Sequence, residues 1–124
     1  MEDDRPVNLD ISSMRLPITA WASISHRVTG VLIVPIFGLF LWMLQASLAG
    51  MSSFEELQEN LSKPLAKFVL WSILTVYAYH LLAGIKHLLM DFGYGESFEG
   101  GVIGVKLLLV ATILCSVLIG FWLW

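Results

Sequence analysis

From Val28 to Ala49 the chain runs for 22 residues without a charged side chain, and that run decides what it can fold into. Coiled as a helix at about 1.5 Å per residue it spans roughly 33 Å, enough to cross a hydrocarbon core of about 30 Å. Phe68 to Ile85 and Leu107 to Trp124 repeat the pattern over 18 residues each. Lipid offers the backbone no hydrogen-bond partner, so runs of this kind close their own bonds as helices. The composition agrees: 57% hydrophobic and 14% charged residues, with a mean hydropathy of +0.79, do not describe a soluble domain of 124 residues. The expectation is an all-α membrane protein, one domain over residues 1–124, with three transmembrane helices at about residues 22–49, 65–90 and 104–124.

The segments between the runs carry the punctuation. Met1 to Leu16 is polar and irregular, with Pro6 and Pro17 interrupting it, and the helical pattern starts at Ile18. Pro35 lies inside the first run and is expected to kink it. In the break from Gly50 to Lys63, Ser52 with Glu55, or Ser53 with Glu56, fits a capping box. Phe54, Leu57 and Leu61 recur there at helical spacing, so a short helix on the membrane surface is expected. Ser62 then suits the N-cap of the second span and Pro64 its first turn. The second break, Lys86 to Lys106, holds Asp91, Gly93, Gly95, Glu96, Glu99, Gly100 and Gly101, which reads as turn chemistry. Phe121, Trp122 and Trp124 read as an interfacial belt closing the third span.

Orientation follows from the basic residues. Arg5, Arg15, Arg27, Lys86 and Lys106 fall on one side of the membrane, against Lys63 and Lys67 on the other. The positive-inside rule puts the N-terminus in the cytoplasm and the C-terminus in the periplasm. The net charge of −3 averages unrelated surfaces and points to no nucleic-acid partner. The single cysteine, Cys115, sits in the last apolar run, which leaves no disulfide, no zinc spacing and no covalent c-type haem motif. The start MEDDRPVNLD has neither the form of a signal peptide nor that of a mitochondrial presequence, so a bacterial inner membrane, with its lipid, is the expected location.

Against this background His80 stands out, because an ionisable side chain at that depth is disfavoured by about 2–3 kcal/mol unless a partner, a cofactor or water receives it. On a helix Tyr77, His80, Gly84, His87 and Asp91 share one stripe, and Gly84 leaves room for a flat ligand beside His80. Three readings of His80 stand together: a ligand to haem iron, a proton relay, and a hydrogen bond to a neighbouring helix. His87 lies about 10 Å from His80 along the axis, too far to share one iron with it. His26, at the start of the first helix, reads as too shallow to face His80 across an iron. A six-coordinate haem would therefore draw its second ligand from another chain.

A second constellation lies in SISHRVTG, where Ser23, Arg27 and Gly30 share a face with His26 to one side. A guanidinium there can pair with a propionate, and a serine can donate to a carbonyl, as a haem edge or a quinone head group would require. The plainer reading has Arg27 reaching lipid phosphates and Ser23 capping its own helix. Tyr77 and Tyr79 read as packing residues, Lys86 as an interfacial anchor and Asp91 as a helix-end residue.

RPVNLD at Arg5 to Asp10, LPITAWASISHRVTG at Leu16 to Gly30 and AYHLLAGIKHLLMDFGY at Ala78 to Tyr94 closely resemble the cytochrome b membrane-anchor subunit of bacterial succinate dehydrogenase, respiratory complex II. The resemblance implies three transmembrane helices forming half of a heterodimeric anchor bundle. It further implies a second hydrophobic anchor subunit, an iron–sulfur subunit and a flavoprotein subunit as partners, and a haem b shared between the two anchors. Carried over position by position, His80 is the axial haem ligand, and His26 and Arg27 lie at the haem propionates. Ser23, Arg27 and Ile24 line the ubiquinone site, while His87 and Asp91 lie near the same surface as interface or proton-path residues. The MEDD start is more acidic than that family's pattern. The implied function is passage of electrons from the iron–sulfur subunit to ubiquinone, with succinate oxidation on the partner subunits. A fumarate reductase anchor, and a haem-free transporter or assembly protein using His80 as a proton relay, are the alternatives.

Overall fold

The computed structural model describes residue 10 and residues 13–124 of the chain. RPVNLD, apart from Asp10, therefore lies outside the described residues, as do Pro6 and the acidic start. Four helices follow in order, and there is no strand among the described residues: α1 (Ile18–Leu48), α2 (Met51–Ser62), α3 (Pro64–Asp91) and α4 (Phe98–Leu123). Three of them, α1, α3 and α4, are long and apolar enough to cross a membrane. The chain is a multi-pass membrane protein with α2 as the short amphipathic helix between its first two crossings.

Each boundary has a local cause. Pro17 is extended, and its carbonyl accepts from the amides of Ala20 and Trp21, which starts α1 at Ile18; the helix then runs unbroken through Pro35. The expected capping boxes do not form. Gly50, at φ +147, turns the chain where a side chain would be strained, and its carbonyl accepts from the Phe54 amide. Nor is Ser62 the cap of α3: its hydroxyl bonds back to Glu59 O at 2.7 Å, and Lys63 holds the junction. A residue before proline is pushed out of the helical region, so Pro64 keeps Lys63 extended and leaves one non-helical residue between α2 and α3.

The second break is shorter than expected, because only residues 92–97 separate α3 from α4. The Tyr94 amide reaches Leu89 O and the Gly93 amide reaches Met90 O, a Schellman closure with Gly93 at φ +89. Ser97 caps α4 by accepting from the Gly100 amide at 3.0 Å. Gly100 and Gly101 are thus helical, not turn residues. They are small because the backbone approaches closely: a Cβ on Gly100 would lie 2.8 Å from Gly95 Cα, and one on Gly101 would lie 3.5 Å from a methyl of Thr19 on α1. Gly93→Ala forces an alanine into the left-handed region and is expected to destabilise the chain by about 1–2 kcal/mol, read as an earlier unfolding transition in detergent.

The most extensive contact is α3 against α4, with α1 packed on both and α2 against α1 and α3. Trp71 donates to Ser116 O at 2.9 Å, the Thr75 and Ser116 hydroxyls meet at 3.1 Å, and Gly120 makes room for the indole. Such bonds between membrane helices contribute about 0.6 kcal/mol each. Lys86 is more than an anchor, since its stem lies over Gly104 of α4, where a Cβ would come within 3.2 Å, and its ammonium reaches Met90 Sδ. Among the described residues, the fully buried hydrophobic side chains of the single chain are Ala83, Val105 and Leu108. Many apolar side chains face outward, with Val31, Val34 and Phe121 more than 70% exposed, a surface that needs lipid or another hydrophobic chain to cover it. Trp122 and Trp124 are exposed at the end of α4, as the interfacial reading requires.

Candidate functional site

Three histidines gather near the end of the bundle where α1 starts and α3 finishes. The rings of His26 and His80 stack with centroids 4.3 Å apart and planes inclined by 28°, and the ring centroids of His26 and His87 lie 5.1 Å apart. His26 is thus level with His80, whereas it was expected to be too shallow to face His80 across an iron without distortion. The cause is helix placement: α1 and α3 lie side by side, so a residue only eight positions into α1 comes level with one in the second half of α3. Rings stacked at 4.3 Å touch, and no porphyrin plane fits between them. Nor do the three imidazoles form a metal cage; among the described residues no group of three ligand side chains converges on a point.

Small residues permit this contact. A Cβ on Gly30 would stand 3.2 Å from His80 Cε1, and a Cβ on Gly84 would stand 3.7 Å from His26 Nε2. Each glycine thus faces the other helix's histidine. The space at Gly84, expected for a flat ligand, is taken by the His26 ring. Beside the cluster lies a shallow depression of about 450 Å³, lined by His26, His80, Leu81, Gly84, Ile85, His87 and Leu88.

Two polar contacts fix the geometry, and the first is the hydrogen bond from His80 to a neighbouring helix that was one of its three readings. The Thr29 hydroxyl lies 3.0 Å from His80 Nδ1, and Tyr79 donates to Ala22 O at 3.0 Å. Ala22, His26, Thr29 and Gly30 fall at i, i+4, i+7 and i+8, the repeat of a helix face packed on a neighbour, and that spacing was the available signal. Tyr77, by contrast, points outward and is 45% exposed.

Of the other expected site residues, Ser23 and Ile24 are half-buried and Arg27 is exposed, and none lines the depression before His80. By helical angle Ser23 and Arg27 turn progressively off the face that meets α3. Ser23 does not cap its helix, since α1 starts five residues earlier. Asp91 ends α3 and is exposed. At the opposite end, a groove of about 360 Å³ under α2 is lined mainly by apolar residues with Glu56 and Asn60, and no histidine reaches it.

The arrangement suits an imidazole ligand with one open side. His80 is tethered at Nδ1, while Nε2 has no hydrogen-bond partner among the described residues. A histidine anchored through one ring nitrogen, at the edge of a depression also lined by His26 and His87, could offer its other nitrogen to the metal of a flat cofactor.

Comparison with known proteins adds the family. Residues 1–119 match the family described as succinate dehydrogenase/fumarate reductase transmembrane subunit. The succinate dehydrogenase cytochrome b556 subunit of Coxiella burnetii is 35% identical over the whole of both chains. That of Paracoccus denitrificans is 30% identical over 93% of this chain and 88% of its own, and that of Rickettsia felis is 29% identical over 97% and 90%. With three apolar crossings and the histidine cluster already in place, the chain belongs to this family of transmembrane subunits, as a cytochrome b membrane anchor of succinate dehydrogenase.

Proposed function

We propose that this chain is the haem b- and quinone-binding anchor of a bacterial succinate:ubiquinone oxidoreductase, helping electrons pass from an iron–sulfur subunit to ubiquinone. The observation that carries the reading is His80, hydrogen-bonded at Nδ1, without a hydrogen-bond partner at Nε2 among the described residues, and lining the depression between α1 and α3. His80 would hold the haem iron through Nε2, with a further ligand coming from a second hydrophobic anchor subunit. Haem b bound there supplies a one-electron redox centre inside the membrane. His26, stacked on His80, and Arg27, one residue on, hold the propionates by hydrogen bonding and charge. The N-terminus lies in the cytoplasm of a bacterial inner membrane, which puts the histidine cluster on the side where an iron–sulfur subunit and a flavoprotein subunit dock.

Ser23, Ile24 and Arg27 form one wall of the ubiquinone pocket, completed by the partner subunits. Ser23 donates to a quinone carbonyl, Arg27 stabilises the negative charge that develops on its oxygen, and Ile24 covers the ring. His87 and Asp91 continue along α3 toward the same end as an interface or a path for the protons that quinone reduction consumes. The dicarboxylate chemistry belongs to the partners. The relatives reported are named for succinate dehydrogenase, which supports succinate oxidation over the reverse reaction of a fumarate reductase.

The test is to isolate the tagged chain in mild detergent and record a reduced-minus-oxidised visible spectrum. Haem b bands in a preparation that reduces ubiquinone with succinate are the expected result. A colourless complex would instead favour a haem-free protein in which His80 relays protons.

A further inference from the structure

We infer that Thr29 is a positioning residue for the haem site, keeping the His80 proton on Nδ1 so that Nε2 carries the lone pair presented to iron. The inference rests on the haem reading above and goes beyond it, because it assigns a role to a residue of α1 that touches neither haem nor quinone.

A threonine hydroxyl has one hydrogen to give and two lone pairs to offer. The Thr29 oxygen lies 2.9 Å from Ser25 O and 2.9 Å from His26 O, both carbonyls and both acceptors only. A helical threonine donates to such carbonyls as a matter of course, so the single hydrogen is committed backward along α1. Toward His80 Nδ1, at 3.0 Å, the oxygen is left to accept. The imidazole must then be protonated at Nδ1, and in a neutral ring that makes Nε2 the ligand nitrogen. In the opposite arrangement the hydroxyl abandons both carbonyls, and the proton moves to Nε2, where it blocks coordination. Gly30, next in sequence, lets His80 approach closely enough for the contact, since a Cβ there would stand 3.2 Å from Cε1.

A hydrogen bond given by Nδ1–H also increases electron donation from Nε2, which favours the oxidised metal, so its loss raises the midpoint potential. The experiment compares the assembled complex carrying Thr29→Val, which keeps the shape without the hydroxyl, with Thr29→Ser, which keeps the hydroxyl. Redox titration of the haem band and low-spin electron paramagnetic resonance are the readouts. Thr29→Val is expected to shift the potential positive, change the low-spin signal and weaken haem retention by about 10-fold, whereas Thr29→Ser stays close to wild type. If Thr29→Val does not assemble, Thr29→Cys, whose sulfur is a weak acceptor, is read in the same way and should shift in the same direction. An assembled, haem-containing Thr29→Val or Thr29→Cys complex with wild-type potential and signal overturns this inference while leaving the haem reading standing. A wild-type complex without haem overturns both.

Discussion

Replacing His80 by alanine is expected to remove the two-imidazole, low-spin signature of the haem in the assembled complex while the chain still inserts in the membrane. Insertion survives because the substitution removes the most polar side chain from the middle of an apolar helix, which lipid favours. Removing a partner that only orients a metal ligand costs about 10–100-fold in affinity, so losing the ligand itself should cost at least as much. The histidine stack makes one complication visible in advance. With His80 gone, His26 loses the ring against which it packs at 4.3 Å and gains the space to reach toward the iron in its place. A single variant that keeps a six-coordinate spectrum is therefore compared with the double variant His26→Ala, His80→Ala. Signature lost in the double variant means substitution by His26; an unchanged spectrum in both removes His80 as the ligand.

The crossings were legible because lipid imposes one rule on every backbone group, and runs of 22, 18 and 18 uncharged residues have few other solutions. The short helix α2 was legible from Phe54, Leu57 and Leu61, although its cap was not: the turn needed the freedom of Gly50 more than a serine side chain. Gly100 and Gly101 misled for a related reason. In a soluble protein paired glycines mark turns, whereas in this bundle they bring α4 against the 95–97 turn and α1. His80 could be picked out by its depth alone. The spacing of Ala22, His26, Thr29 and Gly30 marks a packed face of α1, but which of them meets His80 depends on how α1 registers against α3, and a single helix's periodicity contains no information on register between helices.

Arg27→Ala is expected to lower succinate:ubiquinone reductase activity by about 100-fold, and Ser23→Ala by a smaller factor, while succinate oxidation with a soluble artificial acceptor continues at the wild-type rate. The size follows from the role: one preorganised donor to a developing oxyanion is worth about 10²–10³ in turnover, and a charged donor lies at the upper part of the range for hydrogen bonds. The location makes the effect separable from folding. Arg27 is exposed on the single chain and lies off the face that meets α3, so truncating it opens no cavity and breaks no helix contact. Arg27→Lys is the informative companion, because lysine keeps the charge but loses the planar fork; recovery by lysine would mean that charge alone suffices. The same variants address the propionate role, since Arg27→Ala should also move the haem potential if the guanidinium pairs with a propionate, whereas Ser23→Ala should leave it in place. Equal loss of quinone and soluble-acceptor activity in Arg27→Ala would mean that the residue holds the anchor to its partner subunits, and the quinone assignment would fall.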